Sequence, residues 1–160
     1  MKLVGIDIAK YEHAAFIMEA STGESLCDPF FFKNNKEGFK KLYTELNKYS
    51  KNELLIGMED TGHYNFAIES SLLAEGYKVA LINPITTKSL RKASLKSVKS
   101  DKEDALLITK ALLDKAYYRI ISIQDEKLKE AKELTRYRTQ LTLEMNRKKN
   151  VLPVSYTHLR

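Results

Sequence analysis

The spacing of apolar residues changes once along this chain, near residue 33. Before that point the apolar residues form three short runs, at 3–8, 14–18 and 28–32, and Thr22-Gly23-Glu24 between the last two is typical of a hairpin turn. Short apolar runs separated by turn residues predict strands. The beginning of the chain therefore predicts a meander of three antiparallel strands.

Helical spacing begins after the meander and then alternates with short buried runs. Asn34 or Asn35 is suited to cap the first helix, and Gly76 is suited to end the second. The predicted elements are a helix through 39–46, a strand at 53–59, a helix at 63–75, a strand at 77–82, a helix at 101–115 and a short extended piece at 120–123. Strands that alternate with helices indicate parallel pairing through crossovers.

This order of elements is similar to that of the RNase H-like fold, an α/β domain with a mixed five-stranded sheet flanked by helices. We expect that domain to occupy residues 1–122. The segment 123–150 predicts a long charged helix whose apolar stripe is typical of an interface helix or a coiled coil; the stripe consists of Leu128, Ala131, Leu134, Leu141 and Met145. Val151-Leu152-Pro153 is expected to end this helix, which leaves 151–160 as an atypical tail.

Composition excludes several classes of protein. A single cysteine, Cys27, excludes an internal disulfide framework and a cysteine-rich zinc site. No apolar stretch approaches the roughly 18–20 residues of a membrane span, and the acid at position 7 comes too early for a signal-peptide core. We therefore expect a cytoplasmic protein, and the net charge of +6 suits a polyanionic partner.

Two acids stand at the ends of predicted strands. Asp7 lies inside an apolar run, where a carboxylate is costly unless it is paired or binds a metal, and Glu59 ends the run Leu-Leu-Ile-Gly-Met. If the two strands are parallel neighbours, both carboxylates lie at the same edge of the sheet, where sites in α/β proteins gather. The alternatives are that Asp7 faces solvent and that Glu59 belongs to a helix-entry motif.

A second pair of acids stands at the start of a predicted helix. Asp101 and Asp104 are three residues apart, so they share one helix face. Acids in a first helical turn are common because they suit the helix dipole, and this is the simpler explanation of the pair alone. Together with Asp7 and Glu59, however, they would form a carboxylate cluster suited to Mg²⁺ and to phosphoryl transfer.

A basic stretch directly precedes the second pair of acids. Serine, threonine and lysine are interleaved there, and these residue types contact phosphates. The candidate nucleic-acid-binding residues are Lys10, Lys88, Arg91, Lys92, Lys96, Lys99 and Lys102. The alternative is a solvated helix face. The lone His63 is expected to serve packing or hydrogen bonding.

Three ordered motifs resemble one known family. They are G-I-D-I-A-K at 5–10, G-M-E-D-T-G-H-Y at 57–64, and N-P at 83–84 with K-S-V-K-S-D-K-E-D-A at 96–105. Together they resemble the N-terminal catalytic domain of the DEDD-type transposases of the insertion sequence one-ten family, relatives of the Piv DNA invertases. The last motif is similar to the family signature K-T-D-x-x-D-A, with Ser100 in place of threonine.

The resemblance implies a specific chemistry. Asp7, Glu59, Asp101 and Asp104 would be the catalytic and metal-binding tetrad of a RuvC-like domain that uses Mg²⁺. The family acts on DNA of a mobile element under the direction of a structured guide RNA. It also implies assembly through the long C-terminal helix and a second domain that carries a nucleophilic serine. We therefore expect a catalytic half that is inactive or weakly active alone.

Three other functions remain open from the sequence. The same fold and acids could serve a stand-alone RuvC-like Holliday-junction resolvase or structure-specific nuclease, in which the acids activate water. The G-x-D-x-x-K pattern at 5–10 also begins the ATP-binding domain of actin-like sugar or acetate kinases. A third possibility is a non-catalytic DNA- or RNA-binding module that uses only its basic face.

Overall fold

The predicted meander forms one side of the sheet. The computed structural model describes residues 1–60, 64–93 and 100–157. Strands β1 (Lys2–Asp7), β2 (Glu12–Glu19) and β3 (Phe30–Lys33) pair antiparallel in order, with Leu3 opposite Met18 and His13 opposite Phe32. The prediction of three antiparallel strands is confirmed.

Two parallel strands extend the sheet on the other side of β1. Helix α1 (Lys36–Leu46) begins at Asn35, whose side chain accepts a hydrogen bond from the Gly38 amide at 2.9 Å. It leads to β4 (Leu54–Glu59), which lies parallel to β1, and α2 (Phe66–Ala74) leads to β5 (Lys78–Ile82), parallel to β4. Gly76 follows α2 with φ of +81°, a conformation that favours glycine.

The sheet contains a sixth strand that the sequence did not predict as part of it. Strand β6 (Tyr118–Ile121) pairs antiparallel with β5, and the strand order is β3-β2-β1-β4-β5-β6. The expected fold class is confirmed, but the count of five strands was wrong. Ile121 alone is buried in β6, so an edge strand of four residues carries little of the alternating pattern that identifies a strand.

The two faces of the sheet bury separate apolar cores. Val4, Ile6, Ile56 and Met58 point to the face covered by α1 and α2. The alternate residues point to the other face, where they pack against α4 (Asp101–Ala111); they include Leu3, Leu55, Ala80 and Ile82. The alternation places Gly5, Asp7, Gly57 and Glu59 on this second face.

Helix α4 lies unusually close to the sheet because two glycines are paired beneath it. Gly5 and Gly57 are direct neighbours in the parallel register of β1 and β4. A Cβ atom at Gly5 would meet backbone atoms of α4, including the Thr109 nitrogen at 2.6 Å. A Cβ atom at Gly57 would meet the Leu112 side chain, with Cδ2 at 2.6 Å. The absence of both Cβ atoms therefore sets the height of α4 above the sheet.

A short helix connects β5 to the segment that precedes α4. This helix, α3 (Pro84–Ala93), follows the Asn83-Pro84 pair, and its Leu90 packs on the same core as α4. The basic stretch of the sequence is therefore helical up to Ala93. The predictions that concern Thr61, Gly62, His63 and residues 94–99 lie outside the described residues.

The C-terminal helix forms a separate unit. The chain divides into Met1–Ile123 and Gln124–Arg160, and α5 (Ile123–Thr157) makes up nearly all of the second part. The expectation that Val151-Leu152-Pro153 ends the helix was wrong. Helix α5 continues through these three residues to Thr157, although a proline removes one intrahelical hydrogen bond. No helix of the described residues is long and apolar enough to cross a membrane.

The two glycines give a testable order of stability. We expect Gly5→Ala to reduce the free energy of unfolding by about 1–3 kcal/mol, because the new methyl group meets the backbone of α4. Gly57→Ala should cost less, because the Leu112 side chain can change rotamer. Urea unfolding of the two variants measures both effects. Equal costs, or a larger cost at Gly57, would contradict this account of the contact.

Candidate active site

Asp7 and Glu59 lie at the ends of adjacent parallel strands. Asp7 is the last residue of β1, Glu59 is the last residue of β4, and both side chains point to the face that carries α4. Both are partly buried. The condition on which the sequence analysis placed these two acids at one edge of the sheet, that the two strands are parallel neighbours, is therefore met.

The first turn of α4 contributes the other two acids. Ser100 caps the helix, with its hydroxyl accepting a hydrogen bond from the Glu103 amide at 3.3 Å. Asp104 is buried, with 7% of its surface exposed, whereas Asp101 is exposed. The i, i+3 spacing therefore gives the two acids different surroundings. We call the group formed by Asp7, Glu59, Asp101 and Asp104 the acidic edge.

Asp7 has a strongly raised pKa. Burial, which is the largest cause, and the negative charges of Asp104, Asp101 and Glu59 together raise the pKa of Asp7 from its usual 3.8 to about 7. The positive charge of Arg91 opposes the shift in the pKa of Asp7. A group titrating near neutrality among other carboxylates is typical of functional sites. The four acids are thus electrostatically coupled.

Helix α3 supplies partners for two of the four acids. The Thr87 hydroxyl donates a hydrogen bond to Glu59 Oε1, and Arg91 forms an ion pair with Asp104 at 2.6 Å. Thr87 and Arg91 are one helical turn apart, so one face of α3 contacts the acidic edge. Thr87 was not identified from the sequence. The only available signal was its place four residues before Arg91 in a helix that follows the parallel strand β5.

The acidic edge has the ligand chemistry of a magnesium site. Carboxylate oxygens are the ligands that Mg²⁺ prefers in proteins, and four of them carry more negative charge than Arg91 offsets. In the part of the chain that the structure describes, no three His, Cys, Asp or Glu side chains are close enough to hold a metal ion together. Convergence into a metal-sized cluster is therefore not seen, while Glu59 and Asp104 bond to α3.

The predicted nucleic-acid-binding residues differ in their surroundings. Lys88 and Lys92 are exposed on α3, one turn apart and adjacent in sequence to Thr87 and Arg91. Lys10 and Lys102 are also exposed, and their ammonium groups lie 4.9 Å and 5.8 Å from the ring centres of Tyr11 and Phe31 respectively. Lys96 and Lys99 lie outside the described residues. Arg91 differs from the lysines because it binds Asp104.

A cleft of about 440 Å³ opens beyond the last residue of β4. It lies where β4 and β5 end and β6 begins, and its polar and aromatic lining includes Asp60, Asn83, Tyr117, Tyr118 and Arg119. Arg119 and Asp60 form an ion pair across 3.4 Å. We call this cavity the β5–β6 cleft. It was not predicted, because Asp60 and Arg119 are far apart in sequence and no spacing relates them.

Comparison with known sequences gives one family. A family model of DEDD transposases of the insertion sequence one-ten group, described as transposase, matches residues 4–154. A pilin gene-inverting protein of Moraxella bovis is 28% identical over 109 residues, which are 67% of this chain and 33% of that protein. A pilin gene-inverting protein of Moraxella lacunata matches with the same figures. The chain thus spans about a third of the length of these curated relatives.

Comparison with solved structures gives the same fold. A RuvC structure from Thermus thermophilus aligns with a TM-score of 0.51 at 12% identity and covers 76% of this chain and 100% of that one. A RuvC chain from T. thermophilus in complex with a Holliday junction substrate aligns at a TM-score of 0.48 over 68% of this chain and 90% of that one, at 14% identity. The first likeness confirms the RNase H-like fold.

The raised pKa of Asp7 predicts how stability depends on pH. The folded protein binds this proton up to about pH 7 and the unfolded chain only up to about 3.8, so the contribution of Asp7 to stability falls as pH rises between these values. Asparagine does not ionise, so the Asp7→Asn variant does not lose this stability as pH rises. Relative to the unsubstituted protein, the variant should gain about 1–2 kcal/mol between about pH 5 and about pH 8, a value reduced for partial exposure.

Urea unfolding with a chelator at both pH values measures the effect. The matched control is Asp28→Asn, the same change at an exposed aspartate away from the acidic edge. The difference in unfolding free energy between this control and the unsubstituted protein should not change with pH. A constant difference for Asp7→Asn as well would contradict the raised pKa of Asp7.

Proposed function

Because this chain belongs to the DEDD transposase family, we propose that it is the catalytic domain of a DNA recombinase that binds DNA and Mg²⁺ at the acidic edge. The observation that carries the proposal is the meeting of strand-end acids Asp7 and Glu59 with the first turn of α4. The pKa of Asp7, raised to about 7 by burial and then by the charges of Asp104, Asp101 and Glu59, supports the proposal, because such shifts are common at functional sites.

In this proposal the four acids hold the metal and α3 positions two of them. Mg²⁺, when bound, would supply positive charge that stabilises the attacking and leaving oxygens of phosphoryl transfer. Asp7, Glu59, Asp101 and Asp104 would be its protein ligands. Thr87 would orient Glu59 through its hydrogen bond, and Arg91 would exchange its contact with Asp104 for a DNA phosphate.

The family resemblance extends the proposal to partners that lie beyond this chain. A structured guide RNA would select the DNA, and a serine of a second, C-terminal domain would attack the strand. We therefore expect the present residues to bind metal and DNA without completing strand exchange. Two relatives are pilin gene-inverting proteins, and their names support recombination as the reaction class. This chain covers about a third of their length.

Metal binding provides the first test. Titration with Mg²⁺ followed by calorimetry should detect binding to the unsubstituted protein. Asp7→Asn and Asp104→Asn should each weaken it by more than about tenfold, because each removes a charged oxygen ligand. Asp28→Asn, the matched control, should leave the affinity unchanged. Binding that survives at both edge positions would contradict the assignment of the acidic edge as the metal site.

Cleavage separates this proposal from a stand-alone nuclease. Branched and linear DNA are incubated with the chain in Mg²⁺, with Asp7→Asn as the negative control. We expect little or no cleavage. Robust cleavage that depends on Asp7 would instead indicate a self-sufficient Holliday-junction resolvase or structure-specific nuclease. A chain that binds DNA but no metal would indicate a non-catalytic binding module.

DNA binding should weaken steeply with salt, because lysine contacts to phosphate release counterions. The slope of log affinity against log salt is about −0.9 for each duplex phosphate contact. Lys88→Ala with Lys92→Ala should therefore make the slope shallower by about 1.8 if each lysine contacts one phosphate. Fluorescence anisotropy of a labelled duplex measures the slope. The matched control is Lys36→Ala with Lys40→Ala, an exposed pair with the same spacing on α1.

The long helix α5 is proposed to assemble two copies of the chain. Leu134 is 63% exposed, and Leu141 is exposed seven residues later, the heptad spacing of a coiled coil. Sedimentation at tens of micromolar should show a dimer that Leu141→Asp weakens. Leu143→Asp, an exposed leucine outside that spacing, is the control. A monomer at every concentration would refute pairing through α5.

A further inference from the structure

The β5–β6 cleft holds a combination of groups that the proposed function leaves unused. Tyr117 presents an aromatic ring with 39% of the residue exposed. Arg119 and Asp60 place a donor and an acceptor beside each other, and both are partly exposed to solvent. Asn83 accepts a hydrogen bond from the Ile85 amide through Oδ1, which leaves its amide group to donate. The cleft therefore combines a stacking surface with donors and an acceptor.

The pairing of Arg119 with Asp60 decides which ligand chemistry fits. A phosphate group offers only acceptors, and the Asp60 carboxylate would repel it. The edge of a nucleobase offers donors and acceptors side by side, which the guanidinium and the carboxylate can both satisfy. Exposed ion pairs are weak, and this one spans 3.4 Å, so Arg119 can exchange its contact with Asp60 for a base edge at little cost.

The size and place of the cleft suit a single nucleotide. Its volume of about 440 Å³ lies within the range of small-molecule sites, so it accommodates one base with its sugar. The cleft begins one residue beyond Glu59, since Asp60 continues β4 by donating its amide hydrogen to the Ile82 carbonyl at 3.0 Å. Pro84, which also lines the cleft, is the first residue of the helix that contacts Glu59.

We propose that the β5–β6 cleft takes one unpaired base of the DNA strand held at the acidic edge. The base stacks on Tyr117, and its edge bonds to Arg119 and Asp60. The base must leave its duplex partner to enter, so the site favours DNA that is already distorted or single-stranded next to the bound phosphate. This inference rests on the proposed function, because the acidic edge is what brings the strand to the cleft.

Fluorescence of 2-aminopurine tests the proposal directly. An oligonucleotide that carries this adenine analogue at an unpaired position is titrated with the 160-residue chain, and stacking on an aromatic ring quenches the signal. We expect quenching with the unsubstituted protein. Tyr117→Ala should remove the quenching and weaken binding about tenfold, because base–aromatic stacking is of that size. Tyr117→Phe keeps the ring and should retain the quenching.

Two further variants serve as a matched control and as a second test in case Tyr117→Ala does not fold. Ile120→Ala changes a residue of β6 that is exposed and lies outside the cleft, so it should match the unsubstituted protein. Arg119→Ala alters the exposed arginine, and it should weaken binding of the unpaired oligonucleotide while the fold persists by circular dichroism. This second variant decides the question if Tyr117→Ala fails to fold. Binding that is unchanged in Arg119→Ala and in a folded Tyr117→Ala overturns the proposal.

Experiments with other nucleic acids distinguish an error in this inference from an error in the proposed function. A fully paired duplex should show no Tyr117-dependent quenching. If an RNA oligonucleotide is quenched and the DNA is not, the cleft serves RNA and the commitment to the DNA strand is wrong. DNA binding that depends on Lys88 and Lys92 but never quenches 2-aminopurine overturns the cleft alone. If no nucleic acid binds at all, both proposals are overturned.

Discussion

The contact between α4 and the paired glycines of β1 and β4 fixes the geometry on which the acidic edge depends. Gly5 and Gly57 lie side by side; a Cβ atom at Gly5 would meet the backbone of α4, and one at Gly57 would meet the side chain of Leu112, the residue that follows α4. The helix can therefore approach the sheet closely enough for the charges of Asp101 and Asp104 to act on Asp7. Since side chains alternate along a strand, the residues that follow the glycines by two positions, Asp7 and Glu59, point to this same helix.

Holding four acids together has an electrostatic cost, and α3 reduces it in an uneven way. Glu59 accepts a hydrogen bond from Thr87, and Asp104 is paired with Arg91. Asp101 is exposed, so water screens its charge. Asp7 has burial and three neighbouring carboxylates acting on it, and these raise its pKa. The four acids therefore lie near each other in four different surroundings.

The sequence predicted those features that local patterns encode. Alternating apolar runs gave the strands, and the parallel pairing of β1 with β4 followed from the order of elements, which placed Asp7 and Glu59 together. The assignment of Asp101 and Asp104 to the same site depended on the chemistry of a four-carboxylate cluster and on the family resemblance, since first-turn acids are common in any helix. The contacts of Thr87, the position of β6 and the β5–β6 cleft depend on packing between distant segments, which no local spacing records.

Helix α3, ten residues long, has two different faces, so binding at one face can affect the contacts of the other. Thr87 and Arg91 turn toward the acids, while Lys88 and Lys92 are exposed. A rigid helix cannot rotate one pair without the other, so a ligand that pulls on the lysines also changes the hold on Glu59 and Asp104. If an anion bound to the lysines changes the affinity of the acids for a cation, linkage requires that the cation change the affinity for the anion by the same factor. Helix α3 would then connect the binding of a negative ligand on one side to the binding of a positive ligand on the other.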